Sequence, residues 1–493
     1  MSIYRPTLAI LRRLTGALPH CLAVQRAFCA VCALTFTIGG FTLAWLIPVG
    51  QMPDEWLHWE SGLIRHESFF SGASGSLCSK QLDVPFYFGT ERIRFDARAK
   101  IQPGLYEGAS ALQSRCATEH LGYGHRLTYF GIPAAQRMAF GRSDEARAVS
   151  AFYLTRMFHG IGVTSLLVAL LWRTRGMVLP GLAMVFGLFL APIMWQQSFA
   201  VSADPVVFMG TLACVHILLG RPGWGWSAAL MAVVWSALAT KVVYLPAFVG
   251  TALVPSILFW RGERRPPRSA LGVPIVMAVL ALTSHALGTT LLSDPNPNPG
   301  VDTVAQIAFA RSHPWPVAKA VLPYAHRFLE APSLGRTPLG WLDTVLEPSA
   351  IRVWTTLFWF AALSDALVLL AVLASARGSF ASSLGRLTAS RTFLASAFAI
   401  ASYAFTGALI GLSMYLLFTP VGAPDVLGVQ LRYYVPLFIL FFALPGVLIH
   451  DLRGSSPTGP APTGAQFGAG AIAAALAFVL ICQTAYKILE RYY

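Results

Sequence analysis

Between Gln51 and Gly72 the stretch QMPDEWLHWESGLIRHESFFSG sets two adjacent carboxylates, Asp54 and Glu55, beside an imidazole, His58, and a guanidinium, Arg65, directly after an apolar run. A carboxylate can accept a proton from an attacking hydroxyl near neutral pH. A pair of carboxylates can also hold a hard divalent ion through oxygen ligands. Asp54 and Glu55 are therefore the leading candidates for a general base or for ligands of a Mg or Mn ion. His58 is placed to orient Asp54 or to contact a phosphate. Pro53 suits the first turn of a helix, because its fixed φ matches and its missing N–H costs nothing there. The spacing thus predicts a helix with Asp54 and Glu55 in its first turn, where the helix dipole favours negative charge. Asp54, His58, Ser61 and Arg65 would share one stripe and Trp56, Trp59 and Leu63 another. Such a helix suits the membrane–water interface. A solvated helix cap behind a membrane span has the same composition and is the plain alternative.

Further chemistry-bearing groups recur at the ends of other apolar runs. Asp204 lies in SADP; its structural alternative is helix N-capping ahead of Pro205, a role Ser202 could share. Lys241 and Arg432 each close an apolar run. Both could simply snorkel to the interface, but together they suit a lipid phosphate, which Arg binds bidentately. Tyr244, Tyr433 and Tyr434 read first as interface aromatics, with Tyr244 and Tyr433 placed to reach a substrate. Trp341 could stack on a sugar ring or anchor at the interface, and Asp343 and Gln430 complete the set. Arg65 and Arg156 are secondary candidates. Of the seven cysteines, Cys29 and Cys32 have CxxC spacing but fall inside an apolar run, where packing explains them. Cys78 and Cys116 are the pair in the long loop after that run, and a disulfide between them is expected if the loop lies outside the cytoplasm.

The elements that must position these groups are membrane helices. The chain has 493 residues, 55% hydrophobic and only 12% charged, against about 25% charged in soluble domains. With repeated apolar runs of about 20 residues, this describes an all-α polytopic membrane protein. The formal net charge of +14 lies mostly in short loops between apolar runs. It reads as the positive-inside signal and attraction to anionic lipid, and it excludes a nucleic-acid partner. The first run follows about 25 residues with no small-residue cleavage site, so it reads as a retained span.

About eleven spans are predicted. They run over 27–49, 151–171, 177–195, 205–220, 226–240, 243–260, 271–291, 351–373, 393–418, 433–450 and 466–486. The fifth and sixth form a tight hairpin around Lys241 and Tyr244. Residues 1–26 are a cytoplasmic N-terminus, 27–450 the main membrane domain, 451–465 a cytoplasmic linker and 466–493 the last helix. Loops at 50–150 and 292–350 are too long for linkers, and the stretch LTYFGIPAAQRMAFG in the first is a second helix for the membrane surface. No soluble domain and no sequence repeat is evident. Even-numbered spans end at Arg173 and Arg175, Arg221, the RGERRPPR cluster, Arg377, Arg386 and Arg391, and Arg453. With the basic N-terminus these fall on one side. Asp54, Glu55 and His58, Asp204, Lys241 and Tyr244, Asp343, and Gln430, Arg432 and Tyr433 then gather on the opposite, non-cytoplasmic face. A transporter more often keeps its ionisable groups near the bilayer midplane, where His285 and Asp365 are the main examples here.

These motifs resemble a known family. P-D-E-x-x-H after the first span (Pro53, Asp54, Glu55, His58), S-A-D (Ser202 to Asp204), K-x-x-Y-L-P (Lys241, Tyr244 to Pro246), L-G-W-L-D (Leu339 to Asp343) and G-V-Q-x-R-Y (Gly428 to Gln430, Arg432, Tyr433) look like the bacterial multi-pass membrane proteins called "domain of unknown function 2142". The tract from Tyr129 through Arg156 looks like them too. The family often has Gly where Leu431 stands, and an Asn-Pro pair where this chain has GYGH. That family in turn is similar to integral-membrane glycosyltransferases of the C-type fold. The resemblance implies a C-type (GT-C-like) helical bundle with a large first extracytoplasmic loop. It implies a bacterial inner-membrane location with the site facing the periplasm. It also implies transfer of a sugar from a polyprenyl-phosphate donor to a cell-envelope glycan or glycolipid, with inversion. Asp54 would be the base and Arg432 and Lys241 would meet the donor phosphate, with a divalent cation as the one cofactor to consider. The rivals are a transporter or flippase of lipid-linked glycans and a non-enzymatic envelope assembly protein.

Overall fold

The first helix, α1 (Tyr4–Leu46), carries its apolar span over Pro19–Leu46 and stops where Pro48 and the left-handed Gly50 (φ 75°) break the ladder. In the computed structural model, residues 4–71, 76–86, 98–100, 114–118, 130–219, 224–259, 300–340, 342–376, 384–453 and 465–493 are described. The predicted seventh span with His285, the RGERRPPR loop, GYGH, Tyr129, Trp341, Arg221, Arg377 and the linker from 454 to 464 lie outside them. The side chains of Arg65, Arg386 and Arg391 do so as well.

Most of the described chain is helical. Among the described residues, six helices are long and apolar enough to cross a membrane, and two bent pairs bring the number to as many as eight. The six begin with α1. The others are Asp144–Arg173, Pro348–Val372, Thr392–Phe418, Leu431–Ile449 and Gly470–Tyr492.

Two predicted elements differ. The third span is two short helices, Leu182–Leu188 and Pro192–Phe199, bent by 72°. Pro192 opens the second of them after extended Ala191, and its ring and missing N–H forbid a continuous helix. Asp365, within Pro348–Ala376, caps the first of them by accepting from the backbone N–H of Ala183 (3.2 Å) and Met184 (2.8 Å), and it also accepts from Gln25 Nε2 (2.6 Å). The fifth and sixth spans, predicted as a tight hairpin, are Trp224–Thr240 and Leu245–Phe259 and meet at a 113° bend on Lys241, the geometry of a broken span or a re-entrant loop. The short helix Asp204–Leu218 corresponds to the predicted fourth span.

Phe199, the last residue before the 200–204 turn, wedges between α1 and Asp144–Arg173. A Cβ at Gly40 or Gly160 would stand only 2.1 Å from its ring, so both helices need glycine there. This close approach seats the turn that leads to Asp204.

The first long loop has its own apolar floor of Val49, Trp59, Leu63, Leu82, Val84, Ile132, Ala148, Ala151, Phe152 and Val201. Helix α2 (Glu55–Ser71) lies on it. Trp59 is fully buried, packs at a tilt against the Phe152 ring with centroids 4.9 Å apart, and donates from Nε1 to the Gln81 carbonyl at 2.7 Å. It is a core residue and no interface anchor. Strands Ser76–Ser79 and Arg115–Thr118 pair antiparallel with Cys78 opposite Cys116, and a disulfide joins the two. The stretch predicted for the membrane surface is a helix at Gly131–Met138 with exposed Met138 and Phe140 after it.

Candidate functional site

The carbonyl end of α1, the start of α2, the 200–204 turn, the Lys241 bend and the 3₁₀ turn Leu431–Tyr434 meet at one end of the helices. A buried ion pair locks them. Arg156 is fully buried and spends all five of its N–H groups. It donates to the carbonyls of Ala44 (2.9 Å), Ile47 (2.5 Å) and Pro48 (3.0 Å), and to Glu55 Oε1 (2.9 Å) and Oε2 (2.5 Å). Its charge thus sits at the negative end of the α1 dipole. Glu55 also accepts from the backbone N–H of Val201 (3.0 Å) and Met52 (3.4 Å). The pair joins α1, α2, Asp144–Arg173 and the 200–204 turn.

The prediction for Glu55 is thereby corrected. Its carboxylate is fully buried and filled by protein donors, so it shapes the site from below and has no oxygen left for a substrate or a metal. The helix also starts at Glu55, two residues after the predicted start at Pro53. Asp54 precedes it in the left-handed region (φ 63°), an unusual conformation that Asp tolerates better than most residues. Its carbonyl accepts from the His58 N–H at 3.0 Å, and its side chain remains 46% exposed. The backbone turn separates two adjacent acids, one facing the lock and the other the opening.

Asp54 Oδ2 stands 3.3 Å from Arg432 Nη2. Arg432 is only 3% exposed, yet it is poorly satisfied. Nη1 donates to Gln197 Oε1 at 2.8 Å, Nη2 makes the long contact to Asp54 and a marginal one to the Tyr433 hydroxyl at 3.5 Å. Nε lies 3.7 Å from Asp204 Oδ2 and has no hydrogen-bond partner. Asp204 pairs more closely with Lys241 Nζ at 2.6 Å. Its carboxylate makes no helix cap; Ser202 Oγ accepts the Asp204 N–H instead. The Tyr433 ring lies 5.1 Å from the Lys241 ammonium and 5.2 Å from the Arg432 guanidinium, a cation–π position toward each. Burial pushes the His58 imidazole down to about 4, against the opposing pull of Asp54, so at neutral pH it is an uncharged partner within the field of Asp54, Asp204, Lys241 and Arg432.

The structure thus brings Asp54, His58, Asp204, Lys241, Arg432 and Tyr433 together. Gln430 precedes the same turn, and its buried Oε1 has no hydrogen-bond partner. Two predicted site residues have other duties. Tyr244 is buried, and its hydroxyl donates to the Tyr433 carbonyl at 2.7 Å, bracing the arginine turn. Asp343 is held by Arg491 (Nη2 at 2.6 Å) and the Thr344 hydroxyl, which ties the Leu339–Asp343 loop to the last helix. Tyr434 is likewise buried and directs its hydroxyl to the Gly407 carbonyl. Neither Tyr244 nor Tyr434 sits in an aromatic belt.

A divalent cation does not fit this donor set. Among the described residues no group of three or more His, Cys, Asp or Glu is arranged to hold a metal. Glu55 is committed to Arg156, and Asp54 and Asp204 already face two cations. Sequence reading missed Gln196 and Gln197. Gln196 exchanges two hydrogen bonds with the backbone of Gly340 (2.9 and 2.8 Å), and Gln197 holds Arg432. Two buried amides at the end of an apolar run were the available signal, because amides are costly there unless they have partners.

The sequence model of one family, described as predicted membrane protein (DUF2142), matches residues 37–441. No curated protein and no solved structure matches the chain.

Proposed function

The chain belongs to this family of predicted membrane proteins, and from that premise we propose an integral-membrane glycosyltransferase of the C-type fold. It takes a sugar from a polyprenyl-phosphate carrier and places it, with inversion, on a cell-envelope glycan or glycolipid. The reaction takes place at the periplasmic face of a bacterial inner membrane, in a bundle of about eleven spans.

The observation that carries this reading is the contrast between two buried arginines. Arg156 uses every donor within the protein. Arg432, at the polar mouth, leaves Nε unmet and holds Asp54 only at 3.3 Å. A buried guanidinium with unmet donors is costly, and a phosphate supplies the oxygens it lacks. The polar groups gather at one end of apolar helices, where a lipid carrier would present its headgroup. Asp365, the midplane carboxylate a transporter would use, is occupied as a helix cap.

In the proposed reaction Asp54 takes the proton of the acceptor hydroxyl as its oxygen attacks the anomeric carbon. The bond from that carbon to the phosphate oxygen breaks, and its electron pair stays on the leaving phosphate. That group's charge grows from about one to two, and Arg432 and Lys241 stabilise the growing charge. Asp204 holds Lys241 in place, neutral His58 shapes the Asp54 side, and Tyr433 spaces the two cations. No step is routed through a metal.

The test is sugar transfer by purified protein in lipid, from a panel of polyprenyl-phosphate sugars to envelope acceptors, with Asp54→Asn compared at equal folded yield. Transfer by the wild type and its loss in the variant support the reading. Full activity in the variant removes Asp54 as base. Absence of transfer from every donor, with the lipid carrier bound and moved across vesicles, favours the transporter.

A further inference from the structure

Arginine carries donors only, so Gln197 must present its amide oxygen to Arg432 Nη1, at 2.8 Å. That leaves the Gln197 Nε2 donor on the same side chain, fully buried and with no hydrogen-bond partner. Beside it the Arg432 Nε donor is also unmet. Two neighbouring buried groups thus offer N–H bonds with no acceptor, at a cost normally relieved by a partner. The carboxylate beside Arg432 Nε is committed elsewhere. Asp204 Oδ1 is taken by Lys241 at 2.6 Å, and Asp204 Oδ2 stays 3.7 Å from Nε. Asp54 reaches Nη2 from a half-exposed side chain, the contact most easily given up.

We propose that Gln197 Nε2 and the Arg432 guanidinium form a seat for a phosphate group. Asp54 partly fills it in the free protein and is displaced when phosphate binds. The inference rests on the lipid-phosphate reading and deepens it in two ways. It assigns a phosphate-binding role to Gln197, and it couples donor arrival to release of the base, because the phosphate that takes Arg432 frees the Asp54 carboxylate for the acceptor. The two unmet groups, Gln197 Nε2 and Arg432 Nε, are both donors, so the partner they call for is an acceptor, and a phosphate brings several oxygens.

Gln197→Glu separates this role from a merely structural one. Glutamate keeps, and strengthens, the acceptor that holds Arg432, but it replaces the free donor with an acceptor oxygen and a negative charge. Binding of inorganic phosphate and of a short-chain prenyl monophosphate is measured by titration calorimetry on the full chain in nanodiscs, alongside the thermal unfolding midpoint. The expected result is an unfolding midpoint at or above that of the wild type and phosphate binding weakened more than about a hundredfold, the combined loss of a charge-assisted donor and gain of repulsion. Gln197→Met, which keeps length and loses both amide ends, should weaken binding by at least about tenfold. Asp54→Asn, which removes the competitor, should bind phosphate at least as tightly as the wild type.

If the wild type binds a phosphate probe and either folded Gln197 variant binds it within about twofold, the seat is wrong although the lipid-phosphate reading stands. Weaker phosphate binding by Asp54→Asn overturns the displacement. Tighter binding of the prenyl phosphate than of inorganic phosphate assigns the seat to a lipid headgroup. Equal binding, lost in Gln197→Glu, keeps the seat but assigns it to free phosphate, against the lipid donor. If the wild type binds neither probe, both the seat and the lipid-phosphate reading fall.

Discussion

Asp54 and Glu55 are neighbours in sequence, and converting each to its amide should produce opposite defects. Glu55 accepts four hydrogen bonds, two of them from Arg156 at 2.9 and 2.5 Å, with both side chains fully buried. Glutamine has one acceptor oxygen in place of two, and its NH₂ must face a donor N–H of Arg156, Val201 or Met52. Arg156 is then left a buried charge without a counterion, which costs about 3–5 kcal/mol. Asp54→Asn removes a contact of 3.3 Å from a carboxylate that is nearly half exposed, and asparagine accepts the left-handed backbone at position 54. Its expected cost is below about 1 kcal/mol, while loss of the base lowers transfer by about 10²–10⁴-fold. Denaturant unfolding in mixed micelles gives the first quantity, and sugar transfer in nanodiscs gives the second. Glu55→Gln should lose folded protein and retain much of its activity per folded molecule. A Glu55→Gln protein as stable as wild type but inactive would refute the division of labour, as would an Asp54→Asn protein that loses several kcal/mol of stability.

Other outcomes follow from the same geometry. The folded pKa of His58, about 4, lies below the unfolded value of about 6.5. The unfolded chain therefore binds more protons in that window, and this contribution to stability is present above about pH 6.5 and lost as pH falls toward 4. Thermal midpoints should drop less between pH 7 and 4.5 in His58→Gln than in the wild type, and equal drops would contradict a half-buried imidazole held neutral. Replacing Cys78 and Cys116 by serine opens a link across 38 residues and should lower stability by roughly 2–4 kcal/mol. Reductant should reproduce that loss in the wild type and have little effect on the variant. Asp343→Asn removes the carboxylate from Arg491 and should cost about 1–3 kcal/mol, while prenyl phosphate binding stays within about twofold. A large loss of phosphate binding would return Asp343 to the site.

Membrane class, helical architecture and the residues worth watching were legible in the chain alone. Hydropathy is a local sum, and a run of apolar residues near Phe36 or Phe358 has no stable place in water whatever it packs against. The polar motifs stood out because ionisable groups are rare in such a composition, and Asp54, His58, Asp204, Lys241, Arg432 and Tyr433 do meet. Tertiary structure decided which of them face the opening. Nothing near Glu55 in sequence says that it will meet Arg156, 101 positions away, or that Asp54 will turn outward at φ 63°. Tyr244 looked like a belt aromatic and became a brace because the Tyr433 carbonyl, 189 positions on, needed a donor. Gln197 was passed over as the edge of a span until Arg432 arrived from 235 positions away. Burial and partnership are long-range properties. The same carboxylate or amide is a lock, a base or a binding group according to which distant donors and acceptors the packing brings within about 3 Å of it.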